Sequence, residues 1–422
     1  MRWKRLSFFA LFVLLTLAAG CGMRNDAEVG DGKITLTLWY WNRSIDDDLL
    51  AQVEQVFPHI QLKTEKIGGD FKAKLMAAFA ARSGAPDIVG LNDWVAEFFP
   101  NKDQFVNLFD YGSKELEPLY LDWKWDLTIT PDGNYQIALP MDTGPTALFY
   151  REDLFRKAGL PSDPQEVSEQ LKTWEDYIAA GQKLKEATDG SVYMFDNINT
   201  VFNQALAQGD KLFFDTSDEF IGDQDHVRRA WDLAAKVHEL DLSMGINGQG
   251  SPEWNAAMNN GDVASFIGAV WMKQILMEAA PDTVGKWRVA RSPGGDGNSG
   301  GSFIAITKQS KHPEEAYKVI QWLVNPDNQL TTLTKVNLFP STPSVFDDPV
   351  MTPEEPFFGN QRANEIFIES AKNVKSAYRG PKFSIANSVF GSELTAVERQ
   401  NVPPDRAWGD AIRQINKELL LY

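Results

Sequence analysis

Cysteine is almost missing from this chain: Cys21 is the single thiol in 422 residues. One thiol excludes an internal disulfide and any multi-cysteine metal site. Histidine is also scarce. His59, His226, His238 and His312 are scattered and never paired at ligand spacing, so no metal is expected. Positive charge is in deficit, with 41 Lys and Arg against 58 Asp and Glu, a net charge of −17. No basic patch relieves that deficit, which argues against nucleic acid or anionic lipid surfaces as partners. Internal repeats and low-complexity tracts are lacking. Beyond residue 20 no segment approaches the ~18 apolar residues of a membrane span.

What is present begins with an export signal. Arg2, Lys4 and Arg5 form a basic stretch, Leu6–Leu17 is apolar, and Ala18-Ala19-Gly20 supply the small residues of a processing site. As a membrane span Leu6–Gly20 is short, reaching about 22 Å at ~1.5 Å per residue against ~30 Å of hydrocarbon. Without Arg2, Lys4 and Arg5 the balance is 38 basic to 58 acidic residues, or −20. Cys21 at this boundary resembles the bacterial lipobox, although Ala18 stands where the pattern usually has a larger aliphatic residue. That resemblance implies residues 1–21 as a lipoprotein signal with its cysteine, and a diacylglyceryl, palmitate-type anchor on Cys21. Residues 22–32, GMRNDAEVGDG, are polar and glycine-rich, as a flexible tether would be. The expectation is an exported protein held at the membrane only by lipid.

The remainder has ample apolar material, 43% hydrophobic and 12% aromatic over the whole chain, for two domains or one large two-lobed unit. Ile34, Leu36 and Leu38 alternate with polar residues, which predicts a strand over Lys33–Trp41. Ser44-Ile-Asp-Asp47 reads as a helix cap with an acid at the third position. A strand follows at Ile60–Ile67, then a helix carrying Phe71, Leu75 and Phe79 with Gly84 as its stop, then a strand at Ile88–Leu91. This alternation predicts βαβ units and parallel sheets, with ligands beyond the carboxyl ends of the strands. Those ends carry Tyr40-Trp41-Asn42 and Asn92-Asp93-Trp94. Further along, strands are predicted at Val192–Phe195, Val263–Gly268, Trp287–Ala290 and Ser302–Thr307. Helices are predicted after Thr173, over Asp225–Leu240, after Ser251-Pro252, after Pro313 and Asn325-Pro326, and through the tail, where Pro403-Pro404 opens the last.

The stretch GNYQIALPMDTGPTALFYR, Gly133–Arg151, has strand-like runs at Tyr135–Leu139 and Thr146–Tyr150. Pro140 and Pro145 cannot sit mid-strand, because proline gives no N–H to a ladder. Two readings fit: a hairpin with a long loop, or a strand that leaves one sheet and enters another. Predicted βαβ material on both sides favours the second.

The loop Gly294–Gly301, GGDGNSGG, matches both GxGxxG and GxSxG. Each of those motifs needs a following helix, and here a strand follows, so neither reading is supported. No pair of the many carboxylates is singled out for glycoside hydrolysis. Aromatic placement says more. Trp41, Trp94 and Trp271 each stand at a predicted strand end, near Asn42, Asn92 and Asp93. Flat rings beside hydrogen-bonding side chains suit a sugar, which has apolar faces and a polar rim.

The segments ITLTLWYWN, GAPDIVGLNDW, YQIALPMDTGPTALFYREDLFRKAGL, TWEDYIAAGQKL, MNNGDVASFIGAVWM and GGSFIAITKQSKHPEEAYKVIQWLV together resemble the extracellular solute-binding lipoproteins of carbohydrate ABC importers, the class that includes maltose-binding protein. They spread over nearly all of residues 33–345; residues 346–422 match only in helical character. The resemblance implies an α/β fold of the periplasmic-binding-protein-like type II, with two lobes of parallel-rich sheet joined by a hinge around an interlobe cleft. It places residues 33–141 and 302–348 in the N-terminal lobe, 142–145 in the hinge, and 146–300 with 349–422 in the C-terminal lobe. It implies ligand capture without catalysis or cofactor, a mono- or oligosaccharide ligand, ABC permease subunits as partners, and a monomer. A non-sugar solute such as a polyamine, iron or a peptide, or a glycosidase, are the alternatives. Carried over residue by residue, the ligand-binding set is Tyr40, Trp41, Asn92, Trp94, Asp142, Thr143, Trp271, Gly301 and Ser302, with Asn197, Asn199 and Arg379 as further candidates.

Overall fold

The computed structural model describes residues 32–246 and 248–421. Cys21, the signal segment and all but the last residue of the 22–32 tether lie outside them. Among the described residues the strands are β1 (Ile34–Tyr40), β2 (Ile60–Lys66), β3 (Ile88–Leu91), β4 (Ala138–Pro140), β5 (Asp142–Thr143), β6 (Thr146–Arg151), β7 (Ser265–Ala269), β8 (Trp287–Ala290), β9 (Phe303–Ile306) and β10 (Phe339–Pro340). They form a five-stranded sheet in the order β2-β1-β3-β9-β4, a three-stranded sheet in the order β7-β6-β8, and a two-stranded ribbon of β5 and β10. Each larger sheet anchors one lobe.

The first sheet begins as the alternation requires. β1 runs parallel to β2, from Ile34 opposite Ile60 to Tyr40 opposite Lys66, and parallel to β3 on its other side. Leu36 and Leu38 are fully buried. The alternation fades at Trp39 and Tyr40, both buried, because helices and loops cover both faces there. β9 enters between β3 and β4 and is antiparallel to both. In the second sheet all three strands pair antiparallel. The parallel pairing expected there is limited to two isolated bridges, Tyr193 with Val263 and Phe195 with Ser243. Val192–Phe195 therefore does not form a strand: Tyr193 and Phe195 each find backbone partners singly, between helices rather than along a ladder.

Three other local expectations change for identifiable reasons. The first helix, Asp47–Val56, is capped by Asp46, whose side chain accepts from the Asp48 N–H. Ser44 instead closes the preceding turn, accepting from the Trp41 N–H and donating to its carbonyl. The helix Phe71–Ala81 ends on Arg82 in the left-handed conformation, φ 53°, two residues before Gly84. The strand expected from Tyr135 starts only at Ala138. The Gln136 N–H goes to the Asn107 side chain, and the Tyr135 carbonyl accepts from Thr130. The capping box at Thr173 and Asp176 forms as its spacing predicts.

The Gly133–Arg151 stretch is not a hairpin. β4 belongs to the first sheet and β6 to the second. Between them β5 pairs with β10, and the Met141 N–H donates to the Ser302 carbonyl at 3.0 Å. Gly144 is needed here for lack of space: a Cβ on it would lie 2.0 Å from the Ser299 carbonyl oxygen. Overpacking against backbone costs about 1–3 kcal/mol. Gly144→Ala should therefore lower unfolding free energy by that amount in urea titrations. Gly68→Ala, with nothing within 4 Å of its Cβ position, should stay within about 0.5 kcal/mol of wild type. Equal effects from the two changes would contradict the close approach at Gly144.

Candidate functional site

A cavity of about 290 Å³ opens between the lobes. Its floor comes from the second sheet, through Thr146 at the start of β6 and Ile267–Ala269 of β7. One wall is the helix Ile198–Ala207, which turns Thr200, Asn203, Gln204 and Ala207 toward it. These positions recur at i, i+3, i+4 and i+7, one face of a helix. The opposite walls are Trp271, the turn Asn298–Gly300, Trp123 and Leu127, and the pair Asp93 and Arg379.

Several polar groups in and behind the cavity walls are already satisfied. Gln208 donates to the Pro293 and Gly295 carbonyls at 2.7 Å each and accepts from the Trp174 indole at 3.0 Å. This clasp pins the glycine-rich loop, which continues into β9 and not into a helix. Asn298 accepts from the Gly144 N–H and donates to the Gly300 carbonyl, both at 2.9 Å. Gln249, also on the cavity, donates to Asp196 at 3.0 Å and to the Ile267 carbonyl at 3.3 Å. Burial pushes the Asp196 carboxyl up to about 6, against the amides and indole that donate to it.

Two groups on the cavity are different. The Thr146 hydroxyl and the Gln204 amide nitrogen are buried and make no hydrogen bond. They flank the same point, since a Cβ on Gly297 would lie 3.1 Å from Gln204 Nε2 and 3.3 Å from Thr146 Oγ1. An unpartnered buried donor costs about 1–3 kcal/mol, so a ligand that satisfies it gains that much in relative terms. Neither residue belongs to the ligand-binding set that the family resemblance implies. The polar stripe on the helix Ile198–Ala207, otherwise apolar, was the available signal for Gln204. Nothing in sequence marked Thr146.

The nine expected residues part company. Trp271 lines the cavity, its indole N–H 3.5 Å from the Ser299 carbonyl. Trp94 lines a second cavity, of about 240 Å³, beside the first. Asn92 lines neither: its side chain accepts from the Asp93 N–H at 2.8 Å and so fixes the turn that carries Asp93 and Trp94. Trp41 lies edge-on to Phe71, centroids 5.3 Å apart, and covers Gly90. Tyr40 is buried, its hydroxyl donating to Asp47 at 2.6 Å; burial first, then Asp47, pushes it up to about 12. Asp142, Thr143, Gly301 and Ser302 are buried in the crossing between lobes, where Asp142 accepts from the Ser302 N–H at 2.8 Å. Of the further candidates, Asn197 caps its helix by accepting from Thr200, Asn199 donates to Thr395, and Arg379 lines both cavities.

Beneath the cavity Lys124 is fully buried and its ammonium has no hydrogen-bond partner. It rests on the face of Phe303, 3.5 Å from the ring centroid, and a Cβ on Gly301 would come within 2.7 Å of it. Burial pushes the Lys124 ammonium down to about 7, against the opposing pull of Asp142 and Asp93. The same burial pushes Asp142 up.

Two lobes with a polar-lined, aromatic-edged cavity between them define a cleft-type binding protein. The family model described as bacterial extracellular solute-binding protein matches residues 48–358, and the chain belongs to that family. It is 26% identical over 339 residues, 75% of each chain, to the arabinooligosaccharide-binding protein of Bacillus subtilis (strain 168). It is 22% identical over 388 residues, 87% of each chain, to the lactose-binding protein of Rhizobium radiobacter. A crystal structure of an extracellular solute-binding protein of family 1 superposes with a TM-score of 0.87 at 31% identity, covering 91% of this chain and 99% of that one.

Lys124 generates a prediction with a definite sign. Its folded pKa, about 7, lies below the unfolded value of 10.5. Below pH 7 both states are protonated and the full cost of burying the cation is felt. Between pH 7 and 10.5 only the unfolded state holds the proton, so stability rises with pH. Lys124→Met should stabilise the protein at pH 6 by about 1–4 kcal/mol, with a gain that shrinks by pH 9. Urea unfolding of both proteins at the two pH values checks it; a gain independent of pH would point to packing alone.

Proposed function

We propose that this chain is the extracytoplasmic substrate-binding component of an ABC importer and captures a sugar or oligosaccharide between its lobes for delivery to a membrane permease. The observation that carries the reading is the pairing of unsatisfied buried donors, Thr146 Oγ1 and Gln204 Nε2, with the Trp271 ring on one cavity. A pyranose or furanose offers hydroxyls to the first two and an apolar face to the third. The arabinooligosaccharide- and lactose-binding relatives support the same ligand class.

In this reading the lobes are residues 33–141 with the segment from 302, and 146–300 with the tail, hinged at 142–145. The return crossing is taken at the β5–β10 pairing, Phe339–Pro340, where the chain pairs with Asp142 and Thr143 of the hinge. Ligand that touches both lobes shifts the population toward the closed form. Arg43 to Glu278 at 3.1 Å and Arg379 to Asp93 at 3.2 Å already cross between the lobes. The Arg43–Glu278 pair is exposed and contributes little alone, about 0–1 kcal/mol, so it biases closure without enforcing it. A lipid on Cys21 keeps the receptor near its permease. One acyl chain binds a membrane only marginally, so a multi-chain anchor is required. Among the described residues no helix is long and apolar enough to cross a membrane.

Thermal-shift and calorimetric titration with arabino-oligosaccharides, lactose and a polyamine tests the reading. Saturable sugar binding with a raised Tm and no product formation is expected. Trp271→Ala should weaken sugar binding by ~1–3 kcal/mol, and Gln204→Leu by about 1–2 kcal/mol. Binding of the polyamine alone, or release of reducing ends, would replace this reading with a different receptor or a hydrolase.

A further inference from the structure

We infer that Lys124 ties lobe closure to a proton: the lobes shut over the neutral amine and reopen around the ammonium, so ligand capture releases a proton to solvent. The inference rests on the two-lobed receptor reading above and adds to it a control by pH.

The side chain sits where the lobes meet. On the short helix Asp122–Asp126 its two neighbours belong to different cores. Trp123 packs in the cluster of Phe149 and Phe266, from the second sheet, and its indole donates to the Ala371 carbonyl at 2.9 Å. Trp125 packs in the cluster of Leu36 and Leu38, from the first sheet, and stacks on Tyr120 with centroids 5.5 Å apart. Lys124, between them, is fully buried at the crossing. Its nitrogen lies over Phe303 of β9 and against Gly301, and it has no hydrogen-bond partner. A helix held in both cores cannot follow one lobe without moving against the other. The surroundings of this nitrogen therefore change as the lobes part.

Three charged side chains face it: Asp142 of β5, Asp93 of the turn after β3, and Arg379 of the tail. Asp122 and Asp126, on its own helix, are exposed. Asp142 belongs to the hinge and Asp93 to the N-terminal lobe, and both favour the ammonium. Arg379 belongs to the C-terminal lobe and opposes it. With the lobes together Arg379 stands 3.2 Å from Asp93, which offsets an attracting charge and adds a repelling one. Opening withdraws Arg379, frees Asp93 and admits water, and each change favours the ammonium. The closed form therefore holds the proton more weakly than the open form. In the arrangement seen here burial is the largest influence, and it pushes Lys124 down to about 7 from 10.5. Between about pH 7 and the higher value of the open form, closing expels the proton. Affinity for a ligand that closes the lobes then rises with pH. Below pH 7 both forms keep the proton and the dependence ends. Glu398 and Asp196, which burial pushes up to about 7 and about 6, lie at or below the lower edge of this window.

Calorimetric titration of the mature chain with lactose and with an arabino-oligosaccharide at pH 8, in phosphate and in Tris, counts the proton, because the two buffers differ in ionisation enthalpy. Release of about one proton per ligand is expected at most, with affinity rising up to about tenfold per pH unit between pH 7 and 9. Lys124→Met should release none and bind equally at pH 7 and pH 9; Lys124→Gln serves if that variant folds poorly. Arg379→Gln, which removes the opposing charge, should lower the proton count. No proton released by the wild-type chain, or a pH dependence that persists in Lys124→Met, overturns the link while sugar binding stands. If neither sugar binds, small-angle scattering of the ligand-free chain decides. A radius of gyration larger at pH 7 than at pH 9, and independent of pH in Lys124→Met, keeps the link without the sugar reading. A radius unmoved by pH ends both.

Discussion

Three passes of backbone meet in the crossing between the lobes, and the need to satisfy every buried N–H there governs the rest of the molecule. The Asp142 carboxylate accepts from the Ser302 N–H, Met141 donates to the Ser302 carbonyl, and Ser299 donates to the Gly144 carbonyl at 2.9 Å. The Gly144 N–H goes to the Asn298 side chain. Side chains have no room inside this mesh. Gly301, at φ +95°, would place a Cβ 2.8 Å from the Asp142 carbonyl oxygen. The mesh is also the edge of the cavity, because Asn298–Gly300 is at once part of the crossing and part of the lining. A rearrangement of the crossing is therefore felt directly by whatever occupies the cleft.

Hydrogen-bond accounting separates scaffold from surface in this site. Gln208 has its polar atoms committed to two backbone carbonyls and the Trp174 indole, and Asn298 has its own committed to the Gly144 N–H and the Gly300 carbonyl; both hold the glycine-rich loop in place. Gln204 and Thr146 have atoms left over. The distinction explains why several residues carried over by family resemblance, Asp142 and Ser302 above all, hold the walls in place instead of facing the cavity. Lys124 lies in the same region as a buried cation with no partner, a cost the crossing tolerates because Phe303 and the nearby carboxylates partly compensate for lost water.

Much of the fold was legible from local signals. Alternation identified β1 and β2, proline and asparagine marked helix starts, and Pro140 and Pro145 bounded the crossing. Local readings failed where a tertiary partner outbid the local one. Ser44 closed a turn instead of capping a helix, Arg82 took the left-handed position before Gly84, and the residues from Tyr135 to Ile137 gave their hydrogen bonds to a neighbouring loop. Tryptophan at a strand end was an uncertain guide to the site. Trp271 reached the main cavity and Trp94 the adjoining one, while Trp41 covered Gly90, because the open space in front of each strand depends on what packs there.

By itself the sequence determined the α/β alternation and the place where the chain passes between sheets. Each of these follows from local composition, spacing or the absent N–H of proline. Only the tertiary structure decided which polar atoms remain unsatisfied and where two cavities meet. Those properties belong to the sum of contacts made by segments as distant as Thr146, Gln204 and Arg379, and no single stretch of the chain contains that sum. The passage at Gly133–Arg151 shows both halves. Its prolines announced a change of sheet, but the partners of Asp142 and Gly144 came from Ser302 and Asn298, more than 150 residues away in the chain.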